Sequence, residues 1–185
     1  QALTWTEAAR QFQARIIVSR ETLGRTDLPD LSNEALSASV ADWLSPWLNG
    51  VTTLAALKGL DLLAILRSCL PHAELVALDR DLPTELTLKG GRVKVDYTEP
   101  VPIAAARAQT FYGTMETPRL AGGRVPLRLA LLSPAGRPQA LTADLASFWL
   151  NGWLDMRRDM RGRYPRHDWP ENPAVATPPE PRKRH

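Results

Sequence analysis

The sequence predicts an α+β fold in which an N-terminal helical segment precedes two β-hairpins. The hairpins are expected to form a small antiparallel sheet that is covered on one face, with a helix after each hairpin. Two observations predict this fold. Apolar residues recur at helical spacing, between capping residues, over residues 1–83. In residues 84–97 and in residues 125–142, apolar residues instead alternate with polar ones, which is a period of two, on either side of a glycine-containing turn.

The helical segment opens with the pattern T-x-x-E at Thr4, which is typical of a capping box. It predicts a helix from about Trp5 to Thr22. The residues of this helix that are expected to face inward are Phe12, Ile16 and Ile17.

Capping residues divide the rest of the helical segment into short helices. Ser32 or Asn33 is expected to cap one helix, Thr53 a second and Asp61 a third, which Pro71 ends. The stretch "HAELVALDRDLP" predicts one more short helix.

The second half of the sequence alternates between strand and helix patterns. "TELTLKGGRVKVDY" predicts the first hairpin, and "PIAAARAQTFYG" predicts a helix that Gly113 ends. "VPLRLALLSPAGRPQALT" predicts the second hairpin. Thr142 is expected to cap a last helix, from Ala143 to about Arg161, which Gly152 interrupts.

These elements predict four segments along the chain. They are a leading helix and linker at 1–24, a helical subdomain at 25–83, an α+β subdomain at 84–170 and a flexible Pro-rich basic tail at 171–185. The chain opens at Gln1 without an initiator Met, so we expect it to be a fragment of a longer protein.

Composition argues against several classes of protein. No apolar run approaches the roughly 20 residues that a membrane span needs, so we expect no membrane contact. The single cysteine, Cys69, rules out an internal disulfide and fits a reducing compartment, which predicts a cytoplasmic location.

Sequence motifs of catalysis are missing from the chain. It contains no phosphate-binding loop of the form G-x-x-x-x-G-K-[ST], no H-E-x-x-H and no G-x-S-x-G. Its histidines, His72, His167 and His185, have no metal-type spacing. We therefore expect no catalytic residue, no metal site and no cofactor within these 185 residues.

The charges are unevenly distributed. Residues 1–100 carry 10 basic and 13 acidic side chains, whereas residues 101–166 carry 10 arginines and 4 acidic side chains. Arginine pairs well with phosphate and with carboxylate. The candidate nucleic-acid-binding residues, expected to line one exposed margin, are Arg157, Arg158, Arg161, Arg163 and Arg166.

Three interpretations of this margin stay open. It binds phosphate, it docks on a protein through acidic groups, or it is a solvated charged face. Asp155 and Asp159 lie three and four residues from candidate bases, so some pairing within the helix is expected.

The tryptophans fall into two groups. Trp43, Trp47, Trp149 and Trp153 lie on amphipathic helices and are expected to pack in the core. Trp169 follows the last helix in "RHDWPENP". We expect it to anchor this segment on the sheet, and stacking on a base is the alternative.

The motifs "TPRLAGGRVP", "LLSPAGRP", "DLASFW" and "RGRYPRHDWPENP", in this order, resemble the C-terminal domain of the bacterial HrpB-type ATP-dependent helicases. These are DExH-type RNA helicases. The upstream stretches "LPDLSNEALSASVADWLSPWLNGV" and "GRVKVDYTEP" are also similar to that family, so the resemblance covers nearly the whole chain. The last motif is the most specific.

The resemblance implies a non-catalytic accessory module of an ATP-dependent RNA helicase. ATP and Mg²⁺ would belong to motor domains upstream in the same protein, so the chain alone is expected to be inactive. The implied partners are those motor domains and single-stranded RNA or DNA. The alternative is a module that docks on the helicase core or on a partner protein.

Overall fold

The computed structural model describes residues 3–180. The chain divides between Leu82 and Pro83 into two compact units, the first helical and the second built on a sheet. The predicted α+β class, with helices before the sheet, is confirmed. Within the described residues, no helix is both long and apolar enough to cross a membrane.

Short capped helices make up the first unit. They are α1 (Glu7–Glu21), α2 (Asn33–Ala38), α3 (Val40–Leu44), α4 (Leu54–Lys58), α5 (Leu62–Ser68) and α6 (His72–Asp81). The side chains of Ser32, Thr53 and Asp61 accept hydrogen bonds from first-turn amides of α2, α4 and α5, as predicted. The first helix begins later than expected, because Thr6 and not Thr4 caps it.

The core of the first unit lies where α1 packs on α5 and α6. Phe12 and Ile16 are buried as predicted, together with Ile65 and Leu66 of α5. Ile17, which was also expected to face inward, is only half-buried. The apolar stripe of α1 is therefore narrower than its sequence suggests.

A buried arginine completes that stripe. The Nε atom of Arg15 donates to the Leu82 carbonyl oxygen at 2.7 Å, and its Nη2 pairs with the Asp79 carboxylate. Burying a charge is costly unless it is paired and hydrogen-bonded. These two contacts let Arg15 occupy the core and tie α1 to the end of α6.

The second unit is built on a five-stranded sheet in the order β1-β2-β3-β4-β5. The strands are β1 (Glu85–Leu88), β2 (Gly91–Asp96), β3 (Ile103–Arg107), β4 (Arg128–Leu132) and β5 (Pro138–Thr142). Both predicted hairpins are confirmed, because β1 pairs antiparallel with β2 and β4 with β5.

The helix expected over "PIAAARAQTFYG" was wrong. This stretch forms β3 and a short 3₁₀ turn, Ala108–Phe111, so a strand and not a helix follows the first hairpin. Since β3 pairs antiparallel with β2 but parallel with β4, the sheet is mixed and not wholly antiparallel. Ala104 is fully buried between these neighbours, and this tertiary pairing overrides the helical preference of alanine.

One face of the sheet is buried and the other is exposed, as expected for a sheet covered on one side. The buried face carries Leu86, Val93, Val95, Ala104, Leu129 and Leu131. The residues between them in the strands are exposed or half-buried.

The single last helix that was predicted is divided in two. The two helices are α7 (Leu145–Leu150) and α8 (Gly152–Arg163). Asp144, and not Thr142, caps α7 by accepting from the Ser147 amide at 3.0 Å. A Cβ atom at Gly152 would lie 2.6 Å from the Phe148 ring, so the glycine at this break makes room for that ring.

The segment predicted as a tail, 171–185, begins in contact with the second unit. Pro173 is buried, and its carbonyl oxygen accepts from the Gly113 amide at 2.9 Å. Residues 181–185 of that segment lie outside the described part of the chain.

Candidate nucleic-acid interface

The residues that follow α8, 164–170, fold back and form what we call the return segment. Trp169 is 5% exposed, its ring lies 6.0 Å from the Trp153 ring, and its Nε1 donates to the Tyr164 carbonyl oxygen at 2.9 Å. Trp153 in turn donates from Nε1 to the Pro170 carbonyl oxygen at 2.9 Å. Trp169 is a buried anchor, as predicted, but its ring contact is with Trp153 of α8 where the sheet was expected. At 5% exposure the ring leaves little surface for a base to stack on.

Tyr112 holds the return segment from a second direction. It is fully buried, with its ring 5.8 Å from that of Trp153, and its hydroxyl donates to the Asp168 carbonyl oxygen at 3.0 Å. Burial raises the pKa of Tyr112, so the hydroxyl keeps the proton that makes this bond. Tyr112 therefore helps to hold the return segment, which lies next to the arginines of α8, in one position.

Arg157 is part of this scaffold. Its side chain is 22% exposed, and its Nε donates to the Trp169 carbonyl oxygen at 2.8 Å. Its Nη2 lies 3.6 Å from the carboxylate of Glu171. Arg157 therefore holds the return segment against α8 and presents only part of its guanidinium to solvent.

Two further arginines pair with carboxylates on α8 itself. Arg158 lies 3.4 Å from Asp155, and Arg163 lies 3.1 Å from Asp159, which confirms the predicted pairing within the helix. At about 100° per residue, Arg163 is displaced by about 120° around the helix axis from Arg157. Arg157 and Arg163 therefore do not share one face of α8, and Arg166 lies beyond the end of this helix.

Arg161 and Arg166 are exposed, and neither has an ion pair with any carboxylate among residues 3–180. Arg161 lies one helical turn from Arg157, and both line one cleft of about 370 Å³, which we call the Arg161 cleft. The residues lining it are Arg157, Arg161, Pro165, His167, Asp168 and Trp169. The residues of the cleft thus include two arginines, one histidine and one aspartate, and the Arg157 guanidinium also lies 3.6 Å from the Glu171 carboxylate.

This geometry suits binding of an anion. A guanidinium presents several donors in one plane and pairs well with phosphate or carboxylate oxygens. Among residues 3–180, no group of three or more His, Cys, Asp or Glu side chains could hold a metal ion. The arrangement of arginines around the cleft therefore suits binding of an anion.

The exposure of several large apolar side chains in the first unit was missed from the sequence. Those between residues 40 and 54, which we call the apolar surface, are Val40, Trp47, Leu48 and Leu54. Of these, Trp47 also lines an open groove of about 540 Å³, together with Trp43 and Cys69. The core role predicted for the tryptophans is confirmed for Trp149 and Trp153. Trp43 is only half-buried, and the prediction was wrong for Trp47, which is 41% exposed.

A signal for this surface was present in the sequence. Pro46 and Gly50 restrict the local helices to a few residues, and α3 is followed only by a 3₁₀ turn, Ser45–Trp47. Such short helices cannot bury all of the apolar residues that they carry.

Comparison with known proteins agrees with the resemblance found in the sequence. The profile of a family described as "ATP-dependent helicase C-terminal" matches residues 43–173. The chain is 40% identical over 178 residues to the ATP-dependent RNA helicase HrpB of Escherichia coli K12, which covers 95% of this chain and 22% of that protein.

Two solved structures are similar to this chain. The crystal structure of the E. coli DExH-box NTPase HrpB matches with a TM-score of 0.88 and 38% identity, over 96% of this chain and 22% of that one. A crystal structure of the E. coli DEAH/RHA helicase HrpB matches with a TM-score of 0.74 and 36% identity, over 91% of this chain and 22% of that one. The chain thus spans about a fifth of the length of these relatives. It belongs to the HrpB-type ATP-dependent helicase C-terminal family.

Proposed function

We propose that this chain is a non-catalytic accessory module of a larger ATP-dependent helicase. We further propose that it contacts single-stranded nucleic acid with the Arg161 cleft and the exposed arginines beside it. The main support for this contact is that Arg161 and Arg166 are exposed and have no carboxylate partner within residues 3–180. RNA is the first ligand to test, because the E. coli relative is named an RNA helicase.

The chemistry of this contact is that of phosphate binding. Arg161 and the free edge of Arg157 would hold one phosphate in the cleft, while Arg158 and Arg166 approach neighbouring phosphates. Phosphate contacts position a protein on nucleic acid but carry no sequence information. The module would therefore help to hold the strand without selecting its sequence.

ATP and Mg²⁺ have no place in this chain under the proposal. Its sequence holds no phosphate-binding loop, and the relatives that are named as helicases and NTPases are several times longer. The motor domains of the same protein would bind the nucleotide, and the chain by itself would not hydrolyse ATP.

The test is a charge-removing variant with a matched control. The variant combines Arg158→Gln, Arg161→Gln and Arg166→Gln, and the control combines Arg119→Gln, Arg124→Gln and Arg137→Gln, three exposed arginines elsewhere in the second unit. We expect only the first variant to weaken binding of short oligo(U) and oligo(dT). The slope of log K against log salt should become shallower by about 0.7 for each phosphate that the variant no longer neutralises. If the two variants bind the oligonucleotides with equal affinity, the Arg161 cleft is not a nucleic-acid contact.

The apolar surface favours a second candidate function, docking on the rest of the helicase. Contiguous exposed apolar patches mark sites of protein contact, and Trp47 and Leu48 are adjacent in the chain and both exposed. The double variant Trp47→Ser and Leu54→Ser should leave the stability of the isolated chain nearly unchanged but lower the Tm of the full-length protein. An unchanged Tm of the full-length protein would count against docking through this surface.

A further inference from the structure

The exposed face of the sheet carries a second group of bases, on strands that are not part of the Arg161 cleft. Along β2, Arg92 and Lys94 alternate with the buried Val93 and Val95, so both bases point away from the core. Arg107 of β3 and Arg128 of β4 are also exposed, and their neighbours along the chain are buried or half-buried. We call these four residues the sheet-face bases.

These bases are poorly neutralised. Arg92 lies 3.5 Å from Glu85 and is 76% exposed, which makes this a weak, solvated pair. The other three, Lys94, Arg107 and Arg128, form no ion pair with a carboxylate within residues 3–180. Asp96, on the same face of β2, is engaged through Oδ1 by the amide and hydroxyl of Thr98.

Two alanines lie between Arg107 and Arg128, whereas larger apolar side chains flank them: Ile103 and Leu132 are half-buried, and Leu141, opposite Ala130 on β5, is 54% exposed. Ala105 and Ala130 are register partners in the parallel pair β3–β4, and Ala105 is exposed. Arg107 lies at one end of this pair of strands. Arg128 lies at the other end, opposite Ile103. Ile103 and Arg107 are about 13 Å apart along β3, at about 3.3 Å per residue. The face therefore carries positive charge at both ends of the β3–β4 pair and along β2, and an exposed leucine on β5.

We propose that this sheet face is a second contact surface for single-stranded nucleic acid, which binds its phosphates and does not read its bases. The inference rests on the proposed function and extends it to another site. Charge complementarity favours a polyanion, because four bases spread over three strands face two carboxylates, Glu85 and Asp96. The face lacks the aromatic anchors with which proteins stack bases or form the centre of a protein interface.

The experiment uses the 185-residue chain and a fluorescent oligo(U). The variant combines Arg92→Gln, Lys94→Gln, Arg107→Gln and Arg128→Gln. The control combines Arg119→Gln, Arg124→Gln, Arg137→Gln and Lys58→Gln, which removes the same number of arginines and lysines from exposed positions elsewhere. We expect the Kd of the sheet-face variant to rise by about tenfold or more at low salt, with a salt slope shallower by up to about 2.8. The Kd of the control should change by less than a factor of about two.

The outcomes separate this inference from the proposed function. If the sheet-face variant binds as tightly as its control while the Arg161-cleft variant binds weakly, the inference is overturned and the proposed function stands. If the sheet-face variant alone loses affinity, the inference stands and the cleft is the wrong site. If the wild-type chain binds no oligonucleotide at low salt, both are overturned. Circular dichroism and urea unfolding of each variant ensure that only folded proteins are compared.

Discussion

Trp169 is the residue on which the geometry of the candidate site depends most. Its ring packs beside Trp153, its Nε1 donates to the Tyr164 carbonyl, and its own carbonyl accepts from Arg157. One residue thus joins the return segment to the core and fixes an arginine of the Arg161 cleft. We therefore expect stability and the proposed anion binding to change together at this position.

We expect Trp169→Ala to lower the free energy of unfolding of the second unit by about 3–5 kcal/mol, as truncation of a buried tryptophan does. Urea denaturation measures this decrease. The control is Leu154→Ala, because Leu154 is exposed on α8 and its truncation should cost no more than about 0.5 kcal/mol. A decrease at Trp169 as small as that of the control would show that the return segment is held by other interactions.

The spacing of acidic and basic residues in the sequence predicted some of the arginine ion pairs. The pairs Arg158–Asp155 and Arg163–Asp159 follow from separations of three and four residues on a helix. The bond from Arg157 to the Trp169 carbonyl could not be predicted in this way, because it crosses the turn after α8. Whether an arginine is structural or free is decided by such tertiary interactions.

The elements predicted correctly are those whose position depends on residues close to them in the sequence, such as helix caps and hairpin turns. The caps at Ser32 and Asp61 act on amides three residues away, and the hairpins follow from alternation around a turn. Strand β3 was missed because "IAAAR" has no alternation and alanine favours helices. Its identity depends on its pairing with β2 and β4, which lie outside the stretch itself.

The hairpin between β1 and β2 depends on close packing against the 3₁₀ turn that follows β3. A Cβ atom at Gly90 would lie 2.3 Å from the Thr110 carbonyl oxygen and 2.8 Å from its Cα. These are backbone atoms, which cannot move aside without shifting the 3₁₀ turn.

We expect Gly90→Ala to destabilise the second unit by about 2 kcal/mol or more, as overpacking against a rigid neighbour does. The control is Gly162→Ala on α8, where a Cβ atom meets nothing within 4 Å. This control should be neutral or stabilising by up to about 1 kcal/mol, because alanine favours a helix over glycine. Thermal unfolding of both variants decides the matter, and equal Tm values would show that Gly90 is not tightly packed.

For the molecule as a whole, the apolar surface and the exposed bases of the proposed contacts fall in different units. The apolar surface lies in the first unit, whereas the Arg161 cleft and the sheet-face bases lie in the second. The composition indicated that residues 101–166 are basic, which includes Arg107 and Arg128, but Arg92 and Lys94 belong to the block that is acidic on balance. It could not show that the bases occupy two separate surfaces, because that depends on strand register and on the return segment.

The most direct test of nucleic-acid contact is the salt dependence of oligo(U) binding by the wild-type chain, measured by fluorescence anisotropy. Each phosphate that the protein neutralises on a single strand contributes about −0.7 to the slope of log K against log salt. With at least three arginines of the Arg161 cleft and its surroundings engaged, we expect binding at low salt and a slope of about −2 or steeper. No binding at low salt, or an affinity that does not change with salt, would contradict nucleic-acid contact by this module.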